Sequence, residues 1–167
     1  SVFLNKGNAV SELTVQQIGE IFSGKITNWK EVGGADAKIQ LYGRESSSGT
    51  FEFFKEHVVK GDFSPRCQTL PGTAAIVNEV KKEKYSIGYG GAAYAEGVKD
   101  CKIKKDAKSA GVLPTAKTIA NKTYPISRYL YMYLKTKPTG DTKKFVDWIL
   151  SSEGQKVIES VGYYPLK

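Results

Sequence analysis

At 167 residues, with 40% hydrophobic and 25% charged residues, the chain has room for one compact domain or two small lobes around an ordinary core. Its net charge of +8 favours anionic partners, yet the lysines are scattered, densest over 99–108, and no basic stripe interleaved with aromatics points to nucleic acid. No apolar run is long enough to cross a bilayer, and no basic stretch followed by an apolar core opens the sequence, so any targeting signal is expected to lie outside it.

Val2, Phe3 and Leu4 read as a short buried strand ended by Lys6-Gly7-Asn8. Val15, Ile18, Ile21 and Phe22 repeat at helical spacing; Thr14 fits the N-cap and Gly24 the stop just beyond. Trp29 and Gly33-Gly34 lead into a strand over 39–42. Residues 43–50 (Gly-Arg-Glu-Ser-Ser-Ser-Gly-Thr) then precede a helix predicted over 51–59. A further helix is expected over 74–82, a strand over 86–89 and another over 98–104. Composition turns loop-like over 107–122, and the main organisational break falls near Asn121-Lys122. Beyond it, 124–134 is a β-rich run, and two helices, 142–150 and 153–161, close the chain. Alternating strands and helices place the fold in the α/β class.

The two cysteines, Cys67 and Cys101, fit no metal motif, and with His57 the single histidine no zinc site is expected. Their even number points to a Cys67–Cys101 disulfide; the alternative is two unrelated small core residues.

Segment 43–50 carries the chemistry. Strand, loop and helix start together aim backbone N–H groups and a helix dipole at an anion. Arg44 offers a planar fork of donors, Ser48 and Thr50 offer hydroxyls, and Gly49 lets the backbone approach a ligand without a Cβ between. Ser48 is equally suited to a plain N-cap. A Walker loop would require Lys where Thr50 stands, and a nucleophile elbow would require Gly-x-Ser-x-Gly. His57 has no evident carboxylate orienter, so neither a Ser/His hydrolase nor a phosphate-ester hydrolase is expected; it reads as a surface helix residue.

The pattern Arg-x-x-x-Ser-Gly-Thr at 44–50 resembles the signature of the periplasmic phosphate-binding proteins of high-affinity phosphate ABC transporters. Residues 13–29 (Leu-Thr through Ile-Phe-Ser-Gly-Lys-Ile-Thr-Asn-Trp), Ile87-Gly88-Tyr89, Tyr124-Pro125-Ile126-Ser127-Arg128 and the closing stretch 145–165 are similar to that family in the same order. The resemblance implies a periplasmic-binding-protein-like α/β fold: one complete lobe over 1–121, with its outgoing hinge strand, plus the C-terminal part of the other lobe over 122–167. It implies Arg44, Ser48, Gly49 and Thr50 as phosphate contacts, no cofactor, no enzymatic activity, an ABC permease as partner and a periplasmic or extracellular location. Arg128 is expected to be structural. The second reading is a phosphate-receptor-like surface, adhesin or sensor protein acting through partner contacts.

The family's N-terminal segment, with two further phosphate-binding loops, has no counterpart here, so one jaw of a cleft is expected. The motif consists of donors, whereas selecting a protonated phosphate over sulfate takes an acceptor as well. Glu45 and Glu52 lie near and are read as helix-start electrostatics. The large side chains of 129–134 would leave one face bare, so the chain is expected to self-associate or to sit with a complementary segment.

Overall fold

A computed structural model describes residues 1–166. Strand β1 (Val2–Leu4) is fully buried and lies antiparallel between β5 (Ser86–Tyr89) and β6 (Lys99–Asp100). Strand β3 (Gln40–Arg44) runs parallel to β5 on one side and to β4 (Gln68–Leu70) on the other, giving the order β4-β3-β5-β1-β6. A separate two-stranded parallel ladder joins β2 (Glu12–Thr14) to β7 (Lys102–Lys104).

Both faces of the main sheet are covered, which is why β1 reads as a continuous apolar run. Val2, Leu4, Leu41, Ile87 and Tyr89 pack on one side with α1 (Val15–Ser23) and α2 (Gly49–Phe54). Phe3 and Tyr42 pack on the other against Ile76, Val77 and Val80 of α3 (Gly72–Lys82). A Cβ at Gly88 would come within 2.4 Å of Ile76 Cγ2, so this glycine lets α3 lie close against the sheet.

Helix α1 starts where its capping signal stands. Thr14 accepts from the Gln17 N–H, the Gln17 side chain accepts from the Thr14 N–H, and Gly24 closes the helix in the left-handed region. Helix α2 runs on into a π-turn over Lys55–Val59, closed by the Lys60 N–H donating to the Lys55 carbonyl at 2.8 Å. The short α4 (Ala116–Ala120) falls in the stretch expected to be loop. At the end of the chain α5 (Gly140–Leu150) packs against α6 (Ser152–Ser160), one or two residues from the expected bounds.

Two expectations fail. The run 124–134 forms no strand among the described residues. Tyr124 and Ile126 are buried in the core, but 127–134 is exposed. The rings of Tyr129, Tyr131 and Tyr133 follow one another 6.3 and 6.4 Å apart, the i, i+2 succession of an extended backbone. The segment thus has strand-like side-chain spacing without a ladder partner, and a ladder takes two. Nor are the cysteines bridged: Cys67 and Cys101 are free thiols. Cys67 precedes β4 at one edge of the sheet and Cys101 follows β6 at the other. Four strand spacings separate these edges, roughly 19 Å, far beyond the reach of a disulfide. Cys101 is instead a buried core residue and Cys67 a partly buried one, so the alternative reading of the pair holds.

Candidate functional site

Strand β3 delivers Arg44 to its C-terminal end, where both helices that follow parallel strands begin: α2 after β3, and α3 after β4. The first turns of two helices therefore face one end of the sheet, where open α/β folds place their ligands.

Arg44 is held from several directions. Its backbone N–H donates to the Tyr89 hydroxyl at 3.2 Å, and its Nη1 donates to Thr73 Oγ1 at 3.2 Å in the first turn of α3. Nε and Nη2 donate to the two oxygens of Glu45 at 3.0 and 2.8 Å, a fork-to-fork pair between chain neighbours. Glu45 Oε2 also accepts from the Gly72 N–H, 3.4 Å away at the start of α3. The Arg44 hydrogen bonds, helped by backbone N–H groups, bring the Glu45 carboxyl down to about 2. The same pairing raises the pKa of Arg44, so the pair is ionised on both sides at neutral pH.

The loop between turns tightly, with the Ser48 N–H donating to the Glu45 carbonyl at 3.0 Å. Ser48 is buried and caps α2 by accepting from the Thr50 N–H at 3.2 Å. The capping role is therefore realised, and the hydroxyl keeps its own proton to donate. Gly49 is exposed and takes no positive φ. Among the described residues its N–H, like that of Phe51, has no protein acceptor. Arg44, Ser48, Gly49 and Thr50 thus lie in one strand-loop-helix turn, as the sequence places them, and together they present a guanidinium, two hydroxyls and free backbone donors.

Three neighbours of this turn stand where the sequence reading did not place them. Glu45 is an intimate partner of Arg44 and touches the start of α3 rather than that of α2. Thr73 reaches the site from a helix 29 positions away in the chain. Arg128 stands beside Gly49: a Cβ built there would lie 3.4 Å from its Nη2. No local pattern announces either long-range contact. His57 is exposed on the π-turn, stacks on Phe53 and bonds the Phe53 carbonyl, remote from any nucleophile–base arrangement. No cluster of metal-binding side chains occurs among the described residues.

Comparison with known proteins gives a consistent picture. A family model described as a PBP superfamily domain matches residues 2–153. The phosphate-binding protein PstS of Pseudomonas aeruginosa is 35% identical over 184 residues, and that of Staphylococcus epidermidis 40% over 174 residues. These alignments cover 99% and 98% of this chain but only 57% and 52% of the relatives, so the chain spans about half the length of the curated relatives it matches. Among solved structures, a phosphate ABC transporter substrate-binding protein from Clostridium perfringens with bound phosphate superposes with a TM-score of 0.86 at 34% identity. That match covers all of this chain and 68% of the other. An ABC-type phosphate transport receptor from Vibrio cholerae superposes at 0.82 with 29% identity over 98% of this chain and 68% of the receptor.

Proposed function

The chain belongs to the PBP superfamily, and from that premise we propose that it binds inorganic phosphate outside the cytoplasm as part of a receptor that delivers the ion to an ABC permease. Phosphate would be gripped by the Arg44 guanidinium, the Ser48 and Thr50 hydroxyls and the free N–H groups at Gly49, and released unchanged, without catalysis. In this reading residues 1–121 form the gripping lobe with its outgoing hinge strand, and 122–167 belong to the second lobe. The single observation that carries the proposal is the Arg44 fork, fixed by Glu45 and Thr73 at the strand end from which the donor-rich start of α2 leaves. The named relatives that bind phosphate share this fold over nearly the whole chain.

No helix is long and apolar enough to cross a membrane among the described residues, which is compatible with a receptor that meets its permease by docking. The run 129–134 and the apolar positions Phe145, Trp148 and Val157 on α5 and α6 are exposed, and a complementary segment or a second copy would cover them. Titration calorimetry of the full chain with phosphate and with sulfate tests the binding proposal. Heat with phosphate that is abolished by Arg44→Ala is expected; a silent phosphate titration of the folded protein would overturn it.

A further inference from the structure

Arg128 follows the buried anchors Tyr124 and Ile126 and is itself exposed. From there its guanidinium reaches the first turn of α2. A Cβ built on Gly49 would lie 3.4 Å from Nη2, 3.6 Å from Nη1 and 3.9 Å from Cζ. One face of the guanidinium is steadied by the Phe53 ring, whose centroid is 5.8 Å from Cζ. Among the described residues Arg128 forms no salt bridge with a carboxylate. A structural arginine would ordinarily satisfy its fork with a carboxylate or carbonyls.

Charge balance gives this position its meaning. Arg44 is matched by Glu45, so the two together are nearly neutral, and three of the five N–H donors of Arg44 are already engaged. A multiply charged oxyanion at the Gly49 N–H would meet donors but little net positive charge from that pair. Arg128 carries a charge with no carboxylate paired to it within 4 Å among the described residues, and its N–H edge adjoins the same glycine.

We propose that Arg128 is a second guanidinium ligand of the oxyanion site, supplying the uncompensated positive charge that the Arg44–Glu45 pair lacks. The inference rests on the phosphate-binding reading above. It also gives the segment after Ile126 a share in the ligand, so that a residue outside the strand-loop-helix turn contributes to affinity.

The test is calorimetric titration of the full chain and its Arg128→Gln and Arg128→Lys variants with inorganic phosphate at low and high sodium chloride. Losing a charge-assisted donor predicts binding weaker by about 10- to 100-fold in R128Q. The salt dependence should also become shallower, which a purely structural role would not produce. R128K keeps the charge but loses the planar fork, and is expected to fall between the two. Wild-type binding with R128Q within about twofold of it, at unchanged salt dependence, overturns this inference and leaves the phosphate-binding reading standing. A folded wild type that takes up no phosphate removes the reading and the inference together. If circular dichroism shows R128Q unfolded, R128K decides: affinity equal to wild type refutes the ligand role, and a loss of roughly threefold or more supports it.

Discussion

Replacing Gly49 by alanine separates a ligand site from a helix cap. The three nearest atoms the added methyl would meet beyond its own helix turn belong to the end of Arg128, the closest at 3.4 Å, an ordinary contact with a flexible side chain. Gly49 takes no positive φ, so alanine meets no backbone strain. In a helix interior alanine is better than glycine by about 0.5–1 kcal/mol, which is an upper limit for the first turn. The unliganded protein should therefore keep its melting temperature or gain about 1–4 °C.

Binding should move the other way. The methyl would project from the backbone toward the Arg128 guanidinium, into the space where an oxyanion would meet the Gly49 N–H. Losing one charge-assisted hydrogen bond costs about 1.5–3 kcal/mol, or roughly 10- to 100-fold in affinity. Calorimetric titration with phosphate, paired with thermal melts in its absence, reads both quantities on one preparation. A variant that melts at or above the wild-type temperature and still binds phosphate with wild-type affinity would refute the reasoning, because the glycine would then serve the helix alone.

The acid limb of stability should carry the mark of Glu45. Its folded carboxyl lies at about 2 against 4.5 for a free glutamate, so its contribution is complete above about 4.5 and is lost as pH falls toward 2. Glu45→Gln should flatten acid unfolding in that window, and superimposable acid limbs would contradict it. The same variant should change phosphate and sulfate affinities by a similar factor; a large change in their ratio would make Glu45 a selectivity element. Burial pushes the thiols of Cys67 and Cys101 up to about 12, so both should resist alkylation in the native state. Both should react once the chain is unfolded without reductant, and unreactive thiols in that state would restore the disulfide. The bare run 129–134 predicts concentration-dependent association in light scattering, reduced by Leu130→Glu with Met132→Glu; a monomer at every concentration would count against it.

The elements legible in the sequence are those that carry their own signals. Helix α1 has a capping box at Thr14 and a glycine stop, and β5 is a four-residue, fully buried strand whose bounds match the expectation. Strands β2 and β4 were not legible because each is three residues long and is defined by its partner rather than by a pattern. The stretch over 98–104 reads as one strand, but the chain changes partners at Cys101, pairing with β1 before it and β2 after it. At the site, the donor cluster of 44–50 was readable because strand, loop and helix start are contiguous. Thr73 and Arg128 were not, since only tertiary packing brings them to Arg44 and Gly49.

Selectivity in the proposed site follows from how the carboxylate next to Arg44 is engaged. Phosphate near neutral pH keeps a proton that sulfate lacks, so a site that chooses phosphate must offer an acceptor. Glu45 is ionised and close, yet its Oε2 already accepts from Arg44 Nε and the Gly72 N–H, while Oε1 accepts from Nη2. A carboxylate has about four lone-pair positions, and three are occupied here. Turning the group toward a ligand would break a bidentate pair and release the N–H at the start of α3. Glu45 thus holds Arg44 in place more readily than it reads a phosphate proton. Selection would then require an acceptor from the face opposite α2, across the cleft from Arg44 and Gly49. In the proposed site, with Arg44 neutralised by Glu45 and Arg128 outside any salt bridge among the described residues, the groups of this chain would supply donors and charge, which favour sulfate as well as phosphate.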